Sequence, residues 1–339
     1  MKYLSMSVIT LIFVLMVILP AGAIDVTTSV SINGGSSTAP IVIAKWEVDR
    51  TTNLENGDPT HSVAGSQFIP PCTYGGKHTL DYYAVVYDKE DGGDVYMTFA
   101  DVYHPDAYGA AGRTDFKYQV NFNEMSLADS VAAWNAVKSK NLVAFGSSYT
   151  INDVEYWLVE KGLARVWHGT ADLDYCQRDG HYTVLVQAID QNDVYSAVTP
   201  NTFEYLETVC SEYDFTTINY GSINLGVDSW VPGDTTFGTA AFPTVRNLGN
   251  TQLRVKINET DMTPPFGKDS GNNWMVWYGG RLGDSSGTSI NYYPYEETTL
   301  PDELDRCSQD ELDFMIHVVK GPSNSYTGSA TLGSTLYDS

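Results

Sequence analysis

Alternating side chains constrain the fold of this chain more than any other feature of its sequence. One face of an extended segment carries Leu80, Tyr82, Ala84 and Val86. Successive side chains of a strand point to opposite faces, so this spacing predicts a strand with one face toward a core. After the turn DKEDGG the chain returns as DVYMTFADVY. Together the two runs predict a β-hairpin at residues 80 to 103 and, with it, a mainly β fold.

The same pattern recurs in CQRDGHYTVLVQAIDQNDVYSAVTPNTFEYL, residues 176 to 206. Aligning Asp190 with Asp88 places a second row of side chains over the first: Tyr182, Val184, Val186 and Ala188. A tryptophan-bearing segment precedes each copy, as expected of an internal repeat. The sequence therefore predicts two related β-units, at residues 24–110 and 111–208.

A helical hairpin is predicted inside the second unit, roughly at residues 126 to 161. Ser126 and Thr150 are each followed three residues later by an aspartate, which is typical of a helix start. Trp134 and Trp157 fall in the two predicted helices. In the simpler interpretation both tryptophans pack the hairpin onto the sheet, and in the other they form a lid or a binding platform.

The C-terminal part, residues 209–339, has its own alternating runs, bounded by Gly, Pro and Asn. LRVKI contains Leu253, Val255 and Ile257 at a spacing of two, and ELDFMIHVV continues in the same way from Leu312. These runs predict an all-β domain, most simply a sandwich.

Two resemblances support this fold class. KWEVD, GDPTH and YGGKHTLDYYAVVYDKEDGG resemble the polycystin-type (PKD) and immunoglobulin-like repeats of archaeal and bacterial surfaces, over residues 40 to 104 and again over 164 to 206. The C-terminal YGS, PGD and VRNLGN phrases resemble β-sandwich modules of secreted envelope and fibre proteins. The resemblance implies tandem immunoglobulin-like β-sandwich domains, with the helical hairpin inserted in the N-terminal region, and a scaffolding or adhesive role outside the cell.

The first 23 residues predict export. Lys2, an apolar run and AGA after Pro20 are typical of a signal peptide that is cleaved after Ala23, although retention as an anchor is the alternative. No later segment is apolar enough for a membrane anchor, so a secreted, extracellular or surface-associated protein is expected. The formal net charge of −23 repels phosphate backbones, which argues against nucleic acid as a partner.

Four cysteines, Cys72, Cys176, Cys210 and Cys307, predict two disulfides in an exported chain. Three pairings are possible. Cys72 and Cys176 precede equivalent strands of the repeat, so we favour a bond between them and a second bond between Cys210 and Cys307.

Two sets of residues are candidate binding sites. Asp88, Glu90, Asp91 and Asp94 supply the carboxylate oxygens that calcium prefers, although the solvated tip of a hairpin is the favoured interpretation of these residues. Trp274, Trp277 and Tyr278 could stack on a glycan, but strand alternation predicts that at least one of them belongs to the core.

No motif identifies a reaction, a catalytic residue or a required cofactor. We therefore expect a non-enzymatic component of the cell envelope or extracellular matrix that acts in structure, adhesion or recognition of a protein or glycan, with calcium as a possible stabilising ion. A carbohydrate-binding or hydrolytic secreted protein is the alternative.

Overall fold

A computed structural model describes residues 38–49, 66–89, 94–105, 117–239 and 241–337. The predicted signal peptide lies outside these ranges. No helix within them is long and apolar enough to cross a membrane. The strands of the N-terminal part are β1 (Ile41–Asp49), β2 (Gln67–Phe68), β3 (Lys77–Tyr87), β4 (Val95–Tyr103), β5 (Lys117–Glu124), β6 (Ala144–Phe145), β7 (Ala164–Asp174), β8 (Gly180–Asp190) and β9 (Thr199–Tyr205).

These strands form a sandwich whose two layers are continuous through β5. The order of strands is β2-β9-β8-β4-β5-β7-β3-β1-β6. β5 pairs with β4 up to Phe122 and with β7 at Asn123 and Glu124. Tyr82 of β3 and Phe203 of β9 are far apart in this order, yet their ring centroids are 6.4 Å apart in the core. The sheet therefore folds over, and its two halves pack face to face.

The predicted hairpin at residues 80 to 103 is wrong, although both of its strands form. β3 pairs with β1 and β7, whereas β4 pairs with β5 and β8. The acidic connection between them passes from one layer to the other. Alternation shows which side chains face a core, but it does not distinguish neighbouring strands of one sheet from strands of facing sheets.

The two predicted N-terminal units share this sandwich and do not form separate cores. Strands from residues 24–110 and from residues 111–208 intermingle in the sheet order. The two repeated rows of side chains lie in one core: Leu80, Tyr82, Ala84 and Val86 from β3, and Tyr182, Val184, Val186 and Ala188 from β8. The two copies have similar sequences because β3 and β8, one strand from each layer, both bury one face in the same core.

The predicted helical hairpin is present and covers the outer face of the β1 and β3 layer. It consists of α1 (Leu127–Val137) and α2 (Ile151–Val154), which continues as a π-helical turn at Glu155–Glu160. The Ser126 hydroxyl accepts a hydrogen bond from the Asp129 N–H at 3.2 Å. Such a bond satisfies one of the free donors at a helix start.

Both tryptophans of the hairpin pack onto the sheet. Trp134 is fully buried, and its ring lies 6.1 Å from that of Trp46 in β1. Trp157 stacks on Tyr87 of β3 with 4.2 Å between the ring centroids. Because helices cover this layer on one side and the facing sheet covers it on the other, its strands are buried on both faces. The simpler interpretation of the two tryptophans is therefore the observed one.

The C-terminal part is a second sandwich with its own core. Its strands are β10 (Ser211–Tyr213), β11 (Asp228–Val231), β12 (Thr244–Asn247), β13 (Leu253–Glu259), β14 (Val276–Leu282), β15 (Ile290–Tyr292), β16 (Thr298–Thr299), β17 (Gln309–Val318) and β18 (Ala330–Leu336). One sheet has the order β10-β12-β17-β14-β15, with β11 also paired to β17, and the other has the order β16-β13-β18. The alternating residues of β13 and β17 meet in the core between the sheets.

Two disulfides join the two sandwiches, and the predicted pairing is wrong. The observed bonds are Cys72–Cys210 and Cys176–Cys307, with Cα–Cα distances of 5.9 and 5.4 Å. The loops after β2 and β7 carry Cys72 and Cys176 at the end of the N-terminal sandwich that meets β10 and β17. Cys72 and Cys176 do hold equivalent positions at the same end of the N-terminal sandwich. However, each forms its disulfide with a cysteine of the C-terminal sandwich, and they do not bond to each other.

Polar contacts reinforce the same junction. The Arg246 guanidinium lies over the Tyr74 ring at 3.9 Å and 2.8 Å from a Glu212 oxygen. The Asn250 side chain accepts a hydrogen bond from the Thr208 N–H at 2.8 Å and donates one to the Leu206 carbonyl at 3.0 Å. Residues 206 to 208, which connect the two sandwiches, are therefore hydrogen-bonded to Asn250 through both a backbone N–H and a backbone carbonyl.

Candidate binding site

A cavity of about 1000 Å³ opens in the C-terminal sandwich between two segments without regular structure, residues 214–227 and 319–329. Its inner wall is apolar and includes Ile316 and Val318 from β17 and Leu332 from β18. Its rim carries hydroxyl and carboxamide side chains, among them Thr217, Asn219, Ser222, Asn324, Ser325 and Thr327. A concave site with apolar walls and a few polar groups is the usual form of a small-ligand site.

Glu259 is the one charged residue among the described residues that line this cavity. It ends β13, where Leu253, Val255 and Ile257 point into the core. Side chains two residues apart share a face, so Glu259 points inward as well and is only 4% exposed. The sequence carries this signal, because Glu259 continues the apolar alternation of Leu253, Val255 and Ile257.

Two tyrosines hold the Glu259 carboxylate. The Tyr292 hydroxyl donates to Oε1 at 2.8 Å, and the Tyr220 hydroxyl lies 3.2 Å from each carboxylate oxygen. Burial raises the pKa of Glu259 to about 7, while the hydrogen bonds from Tyr292 and Tyr220 act in the opposite direction. The carboxyl group can therefore accept or donate a proton near neutral pH at the wall of the cavity.

The raised pKa of Glu259 predicts a stability that depends on pH. The folded protein binds this proton more tightly than the unfolded chain, whose pKa is near 4.5. Stability should therefore fall as the pH rises from 4.5 through about 7 and should level off above that. The expected contribution is about 3 kcal/mol. The Glu259→Gln variant should lose this pH dependence in chemical denaturation measured across the same range.

Glu303→Gln provides the matched control, because Glu303 is exposed and does not line the cavity. This variant should keep the pH profile of the parent protein. Identical profiles for the parent and Glu259→Gln would show that Glu259 titrates at an ordinary pKa.

The predicted calcium residues are only partly described. Asp88 is 3% exposed at the end of β3, and Asp94 precedes β4, whereas Glu90 and Asp91 lie outside the described residues. The Gln191 N–H donates to the Asp94 carbonyl at 3.0 Å, so the second acidic turn lies beside the first. Within the described ranges, no group of three or more His, Cys, Asp or Glu side chains is placed to hold a metal ion. Calcium binding at this turn stays a prediction.

The second acidic turn uses its first aspartate to hold the backbone. Oδ1 of Asp190 accepts hydrogen bonds from the N–H groups of Asn192 at 2.7 Å and Val194 at 2.9 Å. An aspartate that accepts from the backbone two residues ahead is a common turn-forming arrangement. Asp190 therefore has a structural role in this turn.

The three aromatic residues of the predicted glycan site do not share a surface. Tyr278 is fully buried, and its hydroxyl donates to the Thr260 carbonyl at 2.9 Å. Trp277 stacks on His317 with 3.8 Å between ring centroids, and Trp274 lies before the strand with Lys268 Nζ 4.7 Å from its ring. Tyr278 therefore lacks the open ring face that stacking on a sugar needs, and the inclusion of Tyr278 in this site is corrected.

No protein-family model and no curated protein sequence matches this chain. Among solved structures, it is similar to the C-terminal domain of the Streptococcus agalactiae AgI/II polypeptide BspA, at 12% identity and a TM-score of 0.21, over 88% of this chain and 96% of that one. The corresponding domain of the Streptococcus pyogenes antigen I/II-family protein AspA has 14% identity and a TM-score of 0.21, over 87% and 94%.

A third similar structure is the CsuC–CsuE chaperone and tip adhesion subunit complex of Csu pili from Acinetobacter baumannii. It has 10% identity and a TM-score of 0.28, over 80% of this chain and 98% of that one. Two of these similar structures are thus antigen I/II domains of streptococci, and the third is a complex of a pilus chaperone with a tip adhesion subunit.

Proposed function

We propose that this protein is an exported, non-enzymatic recognition module that acts in adhesion at the cell surface. In this proposal the C-terminal cavity is the binding site, and its ligand is a neutral molecule with both apolar and hydroxyl-bearing surfaces, the chemistry of a neutral saccharide. The observation that carries the proposal is the lining of the cavity, which combines apolar walls, a hydroxyl-rich rim and, among the described residues, one buried carboxyl group.

The charge of the lining supports a neutral ligand. No Lys, Arg or His occurs among the described residues that line the cavity, and Glu259 is its one acid. An anionic ligand would therefore meet no counter-charge there and would be repelled by the acidic surface of the whole chain. Hydroxyl and carboxamide groups on the rim can both donate and accept hydrogen bonds, as sugar hydroxyls require.

The cavity suits binding better than hydrolysis. Glycoside hydrolysis usually needs two carboxyl groups on opposite sides of the scissile bond. The nearby Asp261 is occupied in its own loop, where its carboxylate accepts N–H bonds from Met262 at 2.8 Å and Gly267 at 2.9 Å. Glu259 is thus the one acid among the described residues that line the cavity, and recognition is favoured over the hydrolytic alternative.

Export is supported independently of the cavity. The four cysteines form two disulfides, which persist in oxidising compartments outside the cytosol. The predicted signal peptide and the acidic surface agree with this location.

Binding of neutral oligosaccharides to the protein without its first 23 residues tests the proposal. A panel of immobilised neutral oligosaccharides identifies a ligand, and calorimetry then measures its affinity. Ser222→Trp places a large side chain at the rim and should weaken binding by about tenfold or more. Ser285→Trp, on an exposed turn outside the cavity, should leave the affinity unchanged. No binding in the panel, or equal binding by both variants, would contradict the proposed site.

A further inference from the structure

The core of the N-terminal sandwich contains a row of charged side chains. Lys45, Glu47 and Asp49 alternate along β1 and are 0%, 1% and 1% exposed. Because side chains two residues apart share a face, all three point toward the facing layer of β8 and β9. Charges are rarely taken fully out of water without a specific arrangement of partners, so this row demands a chemical explanation.

The Glu47 carboxylate binds a lysine and an asparagine at the same time. Lys45 Nζ lies 2.8 Å from Oε1 of Glu47, and Asn201 Nδ2 donates to Oε2 at 2.9 Å. Lys45 Nζ also donates to the Val184 carbonyl at 3.2 Å. Val184 and Asn201 are directly opposite each other in the β8 and β9 pair. The lysine amine and the asparagine carboxamide therefore meet around one acid.

The surroundings of this group keep water out. The hydroxyls of Tyr82 and Tyr118 lie 2.8 Å apart, and the Tyr182 and Phe203 rings stack at 4.9 Å between centroids in the same core. Burial lowers the pKa of Lys45, while Glu47 acts in the opposite direction. An amine in such a place reaches its neutral, nucleophilic form more easily than an exposed lysine does.

We propose that Lys45 and Asn201 form a covalent amide cross-link inside the folded protein. The Lys45 Nζ lone pair attacks Cγ of Asn201 and forms a new C–N bond, while the bond from Cγ to Nδ2 breaks and ammonia leaves. Glu47 accepts a proton from the attacking amine and delivers it to the departing nitrogen, so it ends in the state in which it began. The exchange of one amide for another needs no oxidant, cofactor or second protein.

The position of the bond gives it a mechanical consequence. β1 is the first described strand of the N-terminal sandwich and β9 is the last, and they belong to facing layers. A bond between them closes the sandwich covalently, so that pulling on the chain ends cannot separate these strands. This inference goes beyond the proposed function and does not depend on the C-terminal cavity.

Intact mass of the purified protein tests the cross-link directly. After reduction of the disulfides, the mass should be lower than that of the sequence, counted from the observed N-terminus, by one molecule of ammonia. Proteolytic digestion should yield a branched peptide that joins the β1 and β9 segments through Lys45 and Asn201. The full sequence mass together with separate, unmodified β1 and β9 peptides would overturn the proposal, and neither measurement requires a variant to fold.

Variants assign the roles of the three residues. Lys45→Met and Glu47→Gln should each restore the full sequence mass, the first by removing the nucleophile and the second by removing the proton carrier. Asn201→Asp should still form the link but should lose water instead of ammonia. Lys138→Met, which removes a partly exposed lysine paired with Glu155 at 3.0 Å, should keep the ammonia deficit of the parent. A deficit that persists in Lys45→Met would show that the modification lies elsewhere.

Discussion

Removing the Cys72–Cys210 bond is expected to lower the free energy of unfolding by up to about 5 kcal/mol, because the bond closes a long loop of the unfolded chain. The two cysteines are separated by 138 residues in sequence, and the second bond spans 131. The Cys72→Ser, Cys210→Ser double variant removes the bond without leaving an unpaired thiol. Chemical denaturation of this variant, compared with the parent under oxidising conditions, measures the loss.

A second double variant tests the pairing itself. Cys72→Ser with Cys176→Ser breaks both observed bonds and leaves Cys210 and Cys307 without their observed partners. Thiol titration under denaturing conditions should find two free thiols in this variant and none in Cys72→Ser with Cys210→Ser. No free thiols in the first variant and two in the second would instead support the pairing that the sequence repeat predicted.

Replacing Trp134 by alanine is expected to lower the free energy of unfolding by about 3–5 kcal/mol, the usual effect of removing a large buried aromatic ring. Trp134 is fully buried between the helical hairpin and β1, and its Nε1–H donates to Oε1 of Glu155 at 2.8 Å. The variant therefore loses both packing and a hydrogen bond that links the two helices. Urea denaturation followed by far-UV circular dichroism measures the difference.

Val159→Ala is the control on the same hairpin. Val159 is 39% exposed, so this change should alter the stability by no more than about 0.5 kcal/mol. A loss below about 1 kcal/mol for Trp134→Ala would mean that the hairpin does not depend on its buried face.

Local patterns in the sequence predicted several of the long strands and the helical hairpin. The alternation around Tyr82 and Tyr182 identified two strands with a face in the core, and Ser126 identified the start of α1. These signals depend on the pleat of a strand and on the free N–H groups of a helix start, both of which are local properties of the chain.

The candidate site was less accessible to sequence reasoning. The sequence predicted a glycan site at Trp274, Trp277 and Tyr278, but none of them is among the residues that line the cavity, which opens between segments without regular structure. Glu259 continues an apolar alternation, which marks it as buried, whereas Lys45 alternates with Glu47 and Asp49 in a pattern typical of an exposed face and is nevertheless fully buried. The value of that signal depends on which face of the strand is covered, and this is a tertiary property.

The sequence by itself determined that this chain forms sheets with a helical insertion, because spacing and capping act over a few residues. Only the tertiary structure decided which strands are neighbours, how Cys72 and Cys176 are paired and which polar groups meet around Glu47. Such contacts join residues that are far apart along the chain, and many different arrangements satisfy the same local pattern. Burial of complementary faces selects one of them.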